Sequence, residues 1–204
     1  MKILVTIVNY GTKNRRFLDT LLAEYRRMRF DVTLVIHSEV PRGYGPDVEN
    51  IVGLPADDPR SLPFAHRAVM AERLDDFDLF IFSEDDTLIT EASIDAFLDA
   101  DAVLPDDHGA GFVRVEEYPD GRHNYMDIHS HYYWDPATVQ RHGDQLFCEF
   151  TNFHAASYIL SQDQLRRVLA TGRYEAIPHE GRYDMMAWAA SGPWLTGALT
   201  RVVS

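Results

Sequence analysis

Residues 78–86 read DLFIFSEDD, a run of apolar residues that ends in three consecutive carboxylates. A short apolar run bounded by polar residues is typical of a strand that is buried on both faces of a parallel sheet. Ligands of open α/β sheets bind beyond the carboxyl ends of the strands. Three acids at that place repel one another unless a cation or a proton neutralises them. The stretch therefore predicts a Mg²⁺ or Mn²⁺ site with oxygen ligands, and a solvated acidic loop after a core strand is the alternative.

The composition is that of a single soluble unit with an acidic surface. The chain has 204 residues, 46% of them hydrophobic, which suffices for one core or for one core with a small annex. Nineteen basic and 32 acidic residues give a net charge of 19 − 32 = −13. That sign argues against binding to nucleic acids or anionic membranes, although a bound divalent ion would still permit a nucleotide. Cys148 is the single cysteine, so no internal disulfide is expected.

The N-terminal apolar run, residues 1–8, is too short for a signal peptide because polar residues follow it at once. No stretch approaches the roughly 20 apolar residues that a membrane-spanning helix needs. We therefore expect no transmembrane segment and a cytoplasmic location.

Hydrophobic periodicity predicts an alternation of strands and helices. Strands are expected at residues 3–8, 32–37, 49–52, 112–115, 153–160 and 199–203. Helices are expected to begin after Asn9-Tyr10-Gly11-Thr12, at Ser61, at Thr90 and at Ser161, which forms a capping box with Gln164, and a last one is expected at 182–190. A hairpin turn is expected at 119–121. Strand, helix and strand at the first of these spacings form a parallel, right-handed βαβ unit.

The two βαβ-like units, the segment Ala65-His66-Arg67 and the EDD of residues 84–86 resemble the nucleotide-sugar half of GT-A glycosyltransferases. In that family a D-x-D-type motif follows the central strand, and Glu84 takes its first position here, as in inverting, family-2-like members. The resemblance implies a mostly parallel, Rossmann-like α/β sheet with flanking helices and a smaller mixed acceptor half. It also implies one domain over residues 1–204, with a nucleotide-sugar half at 1–100 and an acceptor half at 101–204.

The resemblance implies roles for residues at the ends of the first strands. Asn9 and Tyr10 would flank the base of the nucleotide. Glu39 occupies the place where the family often has an acid that contacts the base or the ribose. Arg67 would reach toward the ribose or the diphosphate.

The acidic motif itself would bind the metal and the sugar nucleotide. Asp86 would ligate the cation, Asp85 is a further candidate ligand, and Glu84 or Asp85 would touch the ribose or a metal-bound water. A third ligand is expected from the second half of the chain, with His129, His131 and His154 as candidates. Each of these histidines could instead be a hydrogen-bonded structural residue.

An inverting transferase also needs a base that removes a proton from the acceptor hydroxyl. In the family this base is an acid late in the sequence, near the start of a helix, and both Glu180 and Asp184 fit that place. Asp184 could equally be only a helix-start acid. The residues alone do not separate these possibilities.

The predicted function is a metal-dependent glycosyltransferase that moves a sugar from a UDP- or GDP-sugar to a carbohydrate or other hydroxyl acceptor, with inversion. Retention is the alternative outcome, and it would leave Glu180 and Asp184 with other roles. The first alternative is a metal-dependent phosphohydrolase or nucleotidyltransferase that uses Asp85, Asp86, His129 and His131. The second is a nucleotide- or sugar-binding module without turnover.

Overall fold

A computed structural model of the chain describes residues 1–128, 132–174 and 183–204. Its centre is a five-stranded sheet with the strand order β10-β4-β1-β2-β3. The strands are β1 (Lys2–Asn9), β2 (Asp31–Ser38), β3 (Val48–Val52), β4 (Leu79–Glu84) and β10 (Ser157–Ser161). The first four run parallel to one another, and β10 pairs with β4 in the antiparallel sense. The expected mostly parallel α/β sheet is therefore present.

Helices cover both faces of this sheet, which is why its strands are apolar on both sides. They are α1 (Arg15–Arg27), α2 (Ala65–Glu72), α3 (Glu91–Asp101) and α4 (Gln162–Ala170). Side chains of β1 alternate between two cores, with Val5 in the core that contains α1 and α3, and Leu4 in the core that contains α2 and α4. The alternation gives the carboxyl edge of the sheet two distinct sides.

Shorter elements from the second half of the chain form a smaller annex. A four-stranded sheet has the order β5-β11-β9-β8, and a hairpin joins β6 and β7. The bounds are β5 (His108–Ala110), β6 (Val115–Glu117), β7 (His123–Tyr125), β8 (Gln140–His142), β9 (Gln145–Glu149) and β11 (Thr200–Val203). Two short helices, α5 (Met185–Ala190) and α6 (Gly192–Leu195), precede β11. The division into halves at residue 100 stays a prediction, and β10 from the second half belongs to the central sheet.

The local signals for helix starts were correct in two cases and wrong in one. Thr90 forms a capping box with Ser93 at α3, and Ser161 forms one with Gln164 at α4. Ser61 does not cap a helix, because it lies inside a 3₁₀ helix (Pro59–Phe64) whose first turn is capped by Asp58. The hydroxyl of Ser61 instead accepts a hydrogen bond from the Ala56 amide.

Two strands predicted in the second half of the chain have different bounds in the structure. Residues 112–114 are not a strand but connect β5 to β6, and Phe112 contributes a carbonyl oxygen to the guanidinium of Arg201. The strand predicted at 153–160 begins only at Ser157, after Ala156 takes a positive φ of 48°. Among the described residues, no helix is both long and apolar enough to cross a bilayer.

Candidate active site at the carboxyl edge of the sheet

The acidic motif lies at the carboxyl edge of the central sheet. Glu84 is the last residue of β4, and it pairs with Val8 of the neighbouring strand β1. Asn9, the last residue of β1, therefore emerges beside Asp85 and Asp86, because the two strands run parallel. This edge is where open α/β sheets bind ligands.

Two asparagine amides hold the carboxylates of the motif. Asn9 Nδ2 donates to Asp85 Oδ2 at 2.6 Å, and Asn14 Nδ2 donates to Asp85 Oδ1 at 2.7 Å and to Asp86 Oδ2 at 3.2 Å. Tyr44 Oη completes the network, since it donates to Asn9 Oδ1 at 2.8 Å. Charged acceptors make stronger hydrogen bonds than neutral ones, so this network orients the carboxylates firmly.

Burial and mutual repulsion disfavour the charged forms of these acids. Burial, followed by the charge of Asp86, raises the pKa of Glu84 to about 7, and Arg114 opposes the rise. Burial also raises the pKa of Asp85, although the amides of Asn14 and Asn9 lower it. A positive counter-charge beside these acids would favour their charged forms.

The loop after β2 brings Glu39 to the same edge. Its Oε1 accepts a hydrogen bond from the Gly11 amide at 3.1 Å, and it also pairs with the Arg42 guanidinium. Arg42 binds the Gly11 carbonyl as well, so the loops after β1 and β2 are tied together. The ring of Tyr10 is 57% exposed on this edge. The structure thus brings together Asn9, Tyr10 and Glu39, the residues predicted to surround the nucleoside.

Arg67 has contacts that differ from those expected. It is buried, and its guanidinium donates to the carbonyl oxygens of Tyr174 at 2.7 Å, Ala189 at 3.0 Å and Trp188 at 3.1 Å. The last two carbonyls belong to the final turn of α5, where helix carbonyls have no partner within the helix. Arg67 therefore connects α2 to α5. Its described hydrogen bonds include none with the acidic motif.

His154 lies beside Arg114, whose Nη2 is 3.5 Å from His154 Nδ1. Burial, then the charge of Arg114, lowers the pKa of His154 to about 4, so the imidazole is neutral at pH 7. Arg114 is itself held by Asp127, a fully buried carboxylate that accepts three hydrogen bonds from it at 2.7–2.9 Å. Within the described part of the chain no three His, Cys, Asp or Glu side chains are placed to share one metal ion. The three predicted ligands Asp85, Asp86 and His154 are thus not united in one set.

Asp184 is the N-cap of α5, and its Oδ1 accepts a hydrogen bond from the Ala187 amide at 2.8 Å. Its charge adds to the raised pKa of Glu84 and opposes the lowering of the His154 pKa, so its carboxylate is near enough to both groups to interact electrostatically. Asp184 therefore caps the start of α5, and its catalytic role stays a prediction. Glu180, His129 and His131 lie outside the described residues.

The architecture of this chain is similar to that of several solved structures. The chain matches TarS from S. aureus with a TM-score of 0.52 at 13% identity, over 100% of this chain and 35% of TarS. A 1–349 fragment of the same protein matches with a TM-score of 0.51 at 12% identity, over 100% of this chain and 58% of the fragment. The third is a 4-diphosphocytidyl-2C-methyl-D-erythritol synthase, with a TM-score of 0.50, 9% identity and coverage of 100% and 88%.

The chain has a GT-A-like fold. At these identities the likeness concerns the fold alone, and this chain spans 58% of the TarS fragment and 35% of the longer TarS chain. No protein-family model and no curated protein matches the sequence.

Sequence reasoning missed several residues that shape the acidic site of this GT-A-like fold. Asn14 stands at the N-cap of α1, but its side chain makes no capping bond and is directed to Asp85 and Asp86 instead. Tyr44 and Asp127 were also missed, because their partners Asn9 and Arg114 are distant in sequence. A capping-type residue beside the turn after β1 was the one signal that could have drawn attention to Asn14.

Proposed function

We propose that this chain is a metal-dependent glycosyltransferase that moves a sugar from a nucleotide-diphosphate sugar to a hydroxyl acceptor with inversion. The observation that carries the proposal is the pair Asp85 and Asp86, fixed by Asn9 and Asn14 at the carboxyl edge of a GT-A-like sheet. Such an arrangement favours a ligand that is positively charged or that binds together with a cation.

Asp85 and Asp86 would hold Mn²⁺ or Mg²⁺. The small number of protein carboxylates fits this assignment, because Mg²⁺ is usually bound by one or two carboxylates together with substrate phosphates. The bound ion would supply positive charge against the diphosphate leaving group. His154 as a third ligand stays a prediction, and its described partner is the guanidinium of Arg114 and not Asp85 or Asp86.

The nucleoside of a UDP- or GDP-sugar would lie against the tied loops after β1 and β2. The exposed ring of Tyr10 offers a stacking surface for a base, and Glu39 offers a carboxylate to ribose hydroxyls. The link between Arg42, Glu39 and Gly11 holds these two loops in place before any ligand arrives, which reduces the entropy lost on binding.

Proton removal from the acceptor hydroxyl is assigned to Asp184 or Glu180. Asp184 is the candidate within the described residues, where it caps the start of α5 and its charge adds to the raised pKa of Glu84. A carboxylate general base of this kind needs only hydrogen-bond contact with the acceptor hydroxyl.

The test is a calorimetric titration with UDP and GDP, each with and without Mn²⁺, on the wild type and on Asp86→Asn. We expect tight binding of one nucleotide only with metal, and loss of most of this metal-dependent affinity in the variant. The matched control is Asp144→Asn, which removes one exposed carboxylate from the turn between β8 and β9 and should bind as the wild type does. Equal metal-dependent affinity in all three proteins would refute a metal site at Asp86.

A nucleotidyltransferase is the second candidate, and one observation favours it. The fold likeness to a synthase whose name gives a diphosphocytidyl product extends over the whole of this chain and 88% of that one. Under this alternative, CTP with Mg²⁺ should bind more tightly than UDP or GDP, and a suitable acceptor should release pyrophosphate. Transfer from a nucleotide sugar without pyrophosphate release would reject it.

A further inference from the structure

A cavity of about 530 Å³ opens on the α2 side of the central sheet, at the carboxyl ends of β2 and β3. Its volume falls within the range of small-molecule sites. Apolar side chains make up most of the wall, among them Ile51, Leu54, Phe64 and Ala68. The polar group at its wall that requires an explanation is His37.

His37 is 1% exposed, and within the described residues neither of its ring nitrogens has a hydrogen-bond partner. Buried polar groups are paired in most proteins because an unpaired one costs free energy. Burial lowers the pKa of His37 to about 4, so the ring is neutral at pH 7 and presents one donor and one acceptor. The neighbouring charges, Glu49 and Arg73, are paired with each other at 2.8 Å and 2.9 Å.

The charges of the described cavity wall favour an uncharged ligand. Arg67 contributes a positive charge to the wall, and its guanidinium donates to three backbone carbonyls. The remaining charged residue of the described wall is Glu72, so one positive and one negative group leave the described wall without net charge. A ligand of this cavity should therefore be uncharged.

This cavity and the acidic site lie on opposite faces of the sheet. His37 and Ser38 are consecutive in β2, so their side chains point to opposite faces. Val35, two residues before His37, packs in the core of α2, whereas Ile36 and Tyr44 pack in the core of α1. Tyr44 in turn bonds to Asn9 of the acidic network.

We propose that this cavity binds a neutral, largely apolar small molecule whose hydroxyl or amide group forms a hydrogen bond with His37. The site is separate from the one assigned to the sugar nucleotide, and it does not require that assignment to be correct. The ligand class follows from the apolar wall, the unpaired neutral imidazole and the zero net charge of the described wall residues.

The experiment compares phenol with toluene, two probes of similar shape that differ in a hydroxyl group. Binding is followed by the ¹⁵N chemical shifts of the His37 ring, without metal or nucleotide. We expect saturable binding of both probes and about tenfold tighter binding of phenol, as one added hydrogen bond implies. Benzoate, the anionic analogue, should bind more weakly than phenol.

Two variants make the test specific. His37→Leu should keep the binding of toluene, detected by the methyl signals of the wall, and should erase the preference for phenol. Ala68→Trp should obstruct the cavity and abolish binding of both probes. The proposal is overturned if neither probe saturates, or if the preference for phenol survives in His37→Leu. Competitive displacement of phenol by UDP with Mn²⁺ would overturn the separation of the two sites.

Discussion

The side-chain amide of Asn9 donates a 2.6 Å hydrogen bond to Asp85, which joins the end of β1 to the acidic motif after β4. Asn9 is 2% exposed and Asp85 is 7% exposed, so water does not readily replace either partner. The bond therefore contributes to stability as well as to the geometry of the site.

Substitution Asn9→Ala should lower the free energy of unfolding by about 2 kcal/mol, because a buried carboxylate loses a donor and Tyr44 loses its acceptor. Urea unfolding at pH 7 measures the change. A double-mutant cycle with Asp85→Asn should give a coupling of about 1 kcal/mol or more between the two sites. Additive effects would show that the bond contributes nothing. Asn124→Ala, on the exposed strand β7, is the matched control and should have little effect.

Substitution Asn14→Ala should weaken metal-dependent nucleotide binding by about tenfold, because Asn14 is the donor that Asp85 and Asp86 share. Calorimetry with Mn²⁺ and the preferred nucleotide measures this loss. Affinity without metal should not change, since the proposed role of Asn14 is to orient the carboxylates. A loss of the same size with and without metal would contradict that role.

Substitution Asp127→Ala should lower the free energy of unfolding by about 3 kcal/mol, because it removes the partner of the partly buried Arg114. The control is Asp120→Ala, which removes the partner of Arg122 in an exposed Arg–Asp pair and should have a small effect. Thermal or urea unfolding compares the two variants. Equal losses would contradict the importance of burial at Asp127.

Acid should destabilise the protein partly through His37. Its pKa is about 4 in the folded chain and 6.5 ordinarily, so below pH 6.5 the unfolded state binds a proton that the folded state does not. The stability that His37 confers is complete above pH 6.5 and falls as the pH drops toward 4. Between pH 7 and pH 5 the loss from this residue should be about 2 kcal/mol.

The measurement is the free energy of unfolding at pH 7 and pH 5 in the wild type and in His37→Leu. The variant should lose less stability on acidification, although His66 and His154, whose pKa values are also lowered, keep part of the effect in the same direction. Glu49 raises and Arg73 lowers the pKa of His37, so the variants keep both residues. His123→Leu, on the exposed strand β7, is the control and should lose as much stability between pH 7 and pH 5 as the wild type does.

Much of the site could be located from the sequence, but its internal contacts could not. The place of Asp85 and Asp86 follows from the apolar run before them, and the position of Asn9 follows from the end of the first strand. Which side chains neutralise or orient them depends on contacts between residues 71 to 76 positions apart. The different contacts of Arg67 have the same origin, since its acceptors lie 107 to 122 positions further along the chain.

The amino-acid sequence by itself determined the alternation of buried strands and amphipathic helices, the capping boxes at Thr90 and Ser161, and the acids at the end of β4. These features depend on periodicity and on bonds between residues three positions apart, which neighbouring residues encode directly. Only the tertiary structure decided that Asn14 binds two carboxylates, that Arg67 is held by carbonyls of α5, and that His37 lies unpaired at a cavity. Strand order, register and helix packing bring these groups together, and no local pattern contains that information.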